Sequence, residues 1–144
     1  MSLAQLDNLV RAKNLDAESG TQEEVDRLLH SGQARLKDAR NKELNSESRF
    51  DLAYNAAHSM SLAALRWHGY RAKNRYIVFQ SLEHTIKLPP EQWRVLSEAH
   101  RKRNLAEYEG ALDIDEALLE ALIRVAGEVE KRVATLAPLK ADKT

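Results

Sequence analysis

Arg103 carries the clearest positional constraint in this chain. Leu96, Ala99, Ala106 and Gly110 share its helical face, and all are small or apolar. The spacing therefore turns Arg103 toward the bundle interior or a cleft. A guanidinium keeps its charge, so it must find acceptors there. Glu47, Asp51, Asn55 or Tyr54 on the preceding long helix could supply them, and so could a ligand phosphate. A buried structural ion pair is the plainer outcome. Around Arg103 lie His100, Arg101, Lys102 and Asn104, with Tyr108 one turn on. A second basic cluster, Arg66, His68, Arg71, Lys73 and Arg75, is interleaved with Trp67, Tyr70 and Tyr76. Cations beside aromatic rings suit phosphates and the stacking of unpaired bases. The plainer reading is a solvated surface, or one paired with acidic residues of the last helix.

Other chemistries find less support. The chain has no cysteine, which excludes disulfides, iron–sulfur clusters and Cys-based zinc sites. No two histidines show His-Glu-x-x-His spacing. The Glu-x-x-His unit of a di-iron bundle fails where Glu98 is followed by Arg101. There is no Walker loop, dinucleotide fingerprint or nucleophile elbow. No metal and no cofactor are expected, and any catalysis would be acid–base or electrostatic. His58, midway along the central helix, reads as a hydrogen-bonded core histidine.

The elements that must position these residues are helical. The 144 residues include five glycines and three prolines, with 43% hydrophobic and 31% charged. That is globular and long enough for one domain with a real core. Residues 2–16 form a short amphipathic helix broken at Gly20. Thr21 and Glu24 predict a capping box opening a second helix that ends near Lys42, with Gly32 a weak point inside it. Asn45 or Ser46 caps a central helix, apolar on most of its circumference, that Gly69 ends. Asn74 caps a short helix near 75–86. Pro89-Pro90 opens a helix to Gly110, and Asp113 with Glu116 caps the last one. Short connections imply antiparallel neighbours. The expected fold is all-α: an up-and-down bundle of four main helices over residues 20–137, with a short inserted helix, an N-terminal helix at 1–19 docked outside, and a flexible tail at 138–144. The longest uncharged stretch, 52–65, is too short to span a membrane, and the start shows no export signal, so no membrane partner and a cytoplasmic location are expected.

Lys and Arg total 22, as do Asp and Glu. The balance is not even along the chain. Residues 66–103 hold nine basic and three acidic side chains, and residues 104–134 hold three and eight. A basic patch can thus sit within a neutral total.

Four segments stand out: Ser46-Glu47-Ser48-Arg49-Phe50-Asp51-Leu52-Ala53-Tyr54-Asn55-Ala56-Ala57, then Ala64-Leu65-Arg66-Trp67-His68-Gly69-Tyr70-Arg71, then Val78-Phe79-Gln80-Ser81-Leu82-Glu83-His84-Thr85, and finally Arg101-Lys102-Arg103-Asn104-Leu105-Ala106-Glu107-Tyr108-Glu109-Gly110. In this order they resemble the HEPN superfamily of small helical domains. The resemblance spans roughly residues 20–136 and is strongest from 46 to 110. It implies a helical bundle, a homodimer, and a setting beside a nucleotidyltransferase-type partner in toxin–antitoxin pairs. Active members are metal-independent RNases whose motif is an Arg, a polar residue, and a His four to six residues after the Arg. Arg103-Asn104 match the first part. No His follows: Tyr108 occupies the shortest spacing, and His100 precedes the Arg. A phenol, with its usual pKa of about 10, is a poor base near neutrality where imidazole is a good one. The resemblance therefore implies a non-catalytic, dimeric accessory or partner-binding module, associated with RNA or a nucleotide. Arg103, Asn104, Arg66, Arg71, Arg101 and Lys102 are its candidate anion ligands. The alternative is an RNase with a rearranged site, in which Arg103 stabilises the phosphorane and Tyr108 or His100 moves the proton.

Overall fold

The structure is a computed structural model that describes residues 4–110 and 114–139. It is mostly helical, with one small antiparallel sheet. In chain order the elements are α1 (Ala4–Arg11), β1 (Leu15–Ala17), α2 (Gln22–Ala39), α3 (Ser46–Trp67), β2 (Tyr70–Ala72), α4 (Arg75–Gln80), α5 (Leu82–Thr85), α6 (Pro90–Glu109) and α7 (Glu116–Ala134).

α3 is the central element. Asn45 opens it by accepting the Ser48 amide at 2.8 Å. Alanines and serines bring its neighbours close, and α2 and α7 pack along it. Phe50, Ala53, Tyr54, Ala57, Met60 and Ala64 are buried in the main core, together with Leu36 of α2, Phe79 of α4, Leu96 and Ala99 of α6, and Leu122, Ala126 and Val129 of α7. Gly32 is where α2 crosses α3. A Cβ there would overlap the Met60 side chain and stand 3.0 Å from the Ala56 carbonyl oxygen. The glycine is thus a contact point as well as a weak spot in the helix.

The N-terminal segment differs from a simple docked helix. α1 ends at Arg11, Lys13 turns the chain at a φ of 67°, and β1 pairs with β2 in the register Leu15↔Ala72, Asp16↔Arg71, Ala17↔Tyr70. The reason is burial: Leu6, Leu15 and Tyr70 close a second small core with Leu65, Ile77 and Val78. The short inserted helix is two, divided at Ser81, whose hydroxyl donates to the Ile77 carbonyl at 2.7 Å.

Helix ends follow the sequence with two amendments. Thr21 caps α2 by accepting the Glu24 amide at 3.1 Å, but the Glu24 carboxylate turns to Arg66 instead of back to the cap. The cap of α7 is Asp115, which accepts the Ala117 amide; Asp113 lies outside the described residues. At the C-terminus, the Ala137 carbonyl accepts from Trp67 Nε1 at 2.7 Å, and Leu139 packs against the main core. Leu139 is the one residue of the expected tail with a described contact, and residues 140–144 lie outside the described residues. Gly110 ends α6 in the left-handed region, φ 77°.

Candidate functional site

α6 loses its buried face halfway along. Leu96 and Ala99 are in the core, while Arg103 and Ala106, next on the same stripe, are only half-buried and border open space. Arg103 therefore faces a cleft, and its side chain is one-third exposed. Its Nε lies 3.1 Å from Asp51 Oδ1 on α3, and its guanidinium carbon lies 5.6 Å from the centre of the Tyr54 ring. Arg75, first residue of α4, brings a second guanidinium to 5.5 Å from that ring. Arg75 donates to Asn55 Oδ1 at 3.1 Å, and Asn55 donates in turn to the Asp51 carbonyl. Of the acceptors proposed for Arg103, then, Asp51 and Tyr54 contact it. Asn55 serves Arg75, and Glu47 lines the same cleft without pairing to Arg103.

Tyr54 organises the cluster. It is buried, and its ring stacks on His100 (6.2 Å, 18°) with Phe79 at its edge. Its hydroxyl lies 2.9 Å from His100 Nδ1, while Asn104 Nδ2 lies 3.2 Å from His100 Nε2. With Asn104 donating, the neutral ring carries its proton on Nδ1 and donates it to the tyrosine oxygen. Burial holds the His100 pKa below its usual value, and the charge of Arg75 lowers it further. One turn further along α3, His58 meets the edge of Phe79. Burial pushes its pKa down to about 4, with Arg75 and His100 adding to the effect.

Two cavities meet at Arg103. The smaller, about 210 Å³, is lined by Tyr54, Arg75, His100, Arg103, Asn104 and Glu107. The larger, about 570 Å³, runs from the α3 N-terminus past Glu47, Ser48 and Asp51 to Ala106, Glu107 and Gly110. Volumes of this size admit small ligands or a short stretch of chain. Glu107 borders both cavities. Its sequence signal was its place one turn after Arg103, on the same side of α6. Arg75 gave no such signal, because it reaches the site from another helix.

The other basic candidates have different surroundings. Arg66 is 2% exposed and spends its donors inside the protein: on both Glu24 carboxylate oxygens, and on the carbonyls of Glu18, Ser19 and Tyr70. Arg71 pairs with Glu18 at 2.6 Å and Lys73 with Asp16 at 2.7 Å. Arg101 is held by Glu98 at 2.6 Å. Lys102 borders neither cavity, and Tyr108 is 92% exposed and borders neither. Arg66, Arg71 and Lys73 are thus paired with carboxylates of the N-terminal segment and the first turn of α2, Arg75 of the same cluster is not, and none of these pairs involves α7. Among the described residues no three His, Asp or Glu side chains are grouped to hold a metal ion. No helix of the described residues is long and apolar enough to cross a membrane. No family model, curated protein or solved structure matches the chain.

Proposed function

We propose that the chain is a HEPN-like helical domain, an up-and-down bundle built on α2, α3, α6 and α7, that binds the phosphate of an RNA strand or nucleotide without cleaving it. The observation that carries this reading is the pairing of Arg75 and Arg103 on one buried tyrosine. Among the described residues only Asp51 forms an ion pair with either of them. The basic residues elsewhere that have carboxylate partners have little left to offer an anion. Two guanidinium forks with spare donors suit phosphate oxygens. A non-catalytic role fits the motif. No imidazole follows Arg103, Tyr108 points into solvent, and both His100 nitrogens are engaged. As the resemblance implies, the domain acts as a homodimeric accessory to a nucleotidyltransferase-type partner.

The second reading, metal-independent RNA cleavage, draws on one observation. A histidine whose lowered pKa keeps it neutral near pH ~7 lies beside Arg103, in reach of a tyrosine hydroxyl. One experiment separates the two readings. End-labelled single-stranded RNA is incubated with the protein in EDTA and followed on native and denaturing gels. Binding is expected to retard the RNA and leave it intact. Cleavage that Arg103→Ala abolishes would establish the second reading. RNA neither retarded nor cut would dispose of the second reading and of the RNA form of the first.

A further inference from the structure

The smaller cavity has a charge problem that bears on its ligand. Its lining holds two cations, Arg75 and Arg103, and one carboxylate, Glu107, while Asp51 pairs with Arg103 from the edge. Two positive charges thus meet two negative ones, and a phosphate arriving there gains hydrogen bonds but little net attraction. The one titratable group in the lining that can add positive charge near neutrality is His100. We propose that His100 is a third ligand of the bound phosphate, entering the complex as imidazolium through Nε2 once Asn104 turns aside, so that binding takes up a proton. This rests on the phosphate reading of the site.

The geometry supplies each part. The bond from Asn104 to Nε2 is long, at 3.2 Å, and Asn104 is exposed, so little opposes its exchange for a charged oxygen. Nδ1 stays anchored on Tyr54, whose oxygen can accept from a neutral or a charged ring. The groups facing His100 are Tyr54 and, across Phe79, His58 from α3; Arg75 and Phe79 from α4; and Arg103, Asn104 and Glu107 from α6. α5 and α7 also pack on α6 but add no residue to this lining. In the free protein, burial and Arg75 keep the ring neutral. A phosphate reverses that balance by adding an anion, which raises the ring's affinity for a proton. By linkage, a ligand that raises the pKa binds more tightly as the pH falls.

The shared chemistry is a phosphate group, so the test uses two probes. One is a short oligouridylate, whose diester charge is constant across the range; the other is uridine monophosphate. Calorimetry in two buffers of different ionisation enthalpy reads the protons taken up, and titrations from pH ~8 to ~6 read the affinity. The wild type is expected to take up a proton and to gain about fivefold or more in affinity over that range. His100→Gln is expected to bind more weakly, with a flat profile for the diester. For the monophosphate, the difference between wild type and His100→Gln removes the ligand's own titration. His58→Leu, outside the lining, is expected to keep the wild-type profile. If His100→Gln does not fold, the wild-type proton uptake with the oligouridylate, whose own charge is constant, carries the test. Preference for the oligouridylate assigns the site to RNA, and preference for the monophosphate to a free nucleotide. Binding of either with no proton uptake and no pH dependence overturns the role of His100 alone. Failure of the wild type to bind both overturns the phosphate reading with it.

Discussion

Tyr54 shows how one side chain can set the chemistry of its surroundings. Its ring carries two guanidinium groups and its hydroxyl fixes an imidazole, all from a position 3% exposed. Part of this was legible in the sequence. The helical spacing around Arg103 pointed it to α3, and Asp51 and Tyr54 were among the partners named. His100 looked misplaced because its order along the chain was compared with a motif. In space, one turn of α6 brings it to the same cavity. The Arg103–Asp51 pair is half exposed on the carboxylate side, so a double-mutant cycle is expected to give a coupling of only about 0.5–1 kcal/mol. A coupling several times larger would mark the pair as structural and leave Arg103 little for a ligand. His58 makes a separate prediction. Folded, it stays neutral down to about pH 4, whereas unfolded it charges below its usual 6.5. In that window the unfolded chain binds more protons, so the stability held above the unfolded value is lost as the pH falls toward the folded one. Urea denaturation is expected to show about 2 kcal/mol less acid loss between pH ~7 and ~5 in His58→Leu than in the wild type. Equal losses would contradict the neutral, half-buried state.

Among the elements, the Arg66 junction explains most of what the sequence concealed. Arg66 looked like one member of a basic surface. It is instead the buried tie between α3, the N-terminus of α2 and the β1–β2 sheet. Three of its acceptors are main-chain carbonyls, which no side-chain pattern reveals. β1 was hidden for a related reason. Three residues give no readable period, and the pairing is set by a partner far along the chain. Arg66→Met strands those carbonyls, leaves Glu24 only Arg71 at 3.6 Å, and is expected to cost about 3 kcal/mol, read as a fall in urea midpoint. Arg71→Met, on the exposed pair, is expected to cost under about 1 kcal/mol. Equal effects would contradict the hub. Gly32 offers a test at the α2–α3 crossing. Alanine improves helix propensity by about 1 kcal/mol, yet the overlap with Met60 is expected to win and destabilise Gly32→Ala by about 1–2 kcal/mol net. Stabilisation would mean the crossing is looser than described.

For the whole molecule, the neutral total resolves into local accounts. Asp16 and Glu18 of the N-terminal segment neutralise Arg66, Arg71 and Lys73, and α6 neutralises Arg101 within itself. The helical class, the long helices and most caps followed from composition, spacing and punctuation, because helices are specified locally. The site did not, because it joins three helices that only the packed core brings together. The proposed homodimer also belongs at this scale. Leu105 and Tyr108, 41% and 92% exposed on one side of α6, offer it an apolar surface. Sedimentation is expected to show a dimer at micromolar concentration that Tyr108→Glu weakens, and a monomer throughout would contradict it.

The central claim is that Arg75 and Arg103 bind phosphate where Arg71, paired with Glu18 and Glu24, does not. Fluorescence anisotropy of a labelled oligouridylate, titrated with wild type, Arg75→Ala, Arg103→Ala and Arg71→Ala at low salt in EDTA, tests it directly. Losing a charge-assisted hydrogen bond to phosphate corresponds to about 1.5–3 kcal/mol, or roughly ten- to a hundredfold in affinity. The first two variants are expected to weaken binding by at least about tenfold, and Arg71→Ala to bind as the wild type does. Binding that all three variants weaken equally, or that none of them changes, would contradict the account.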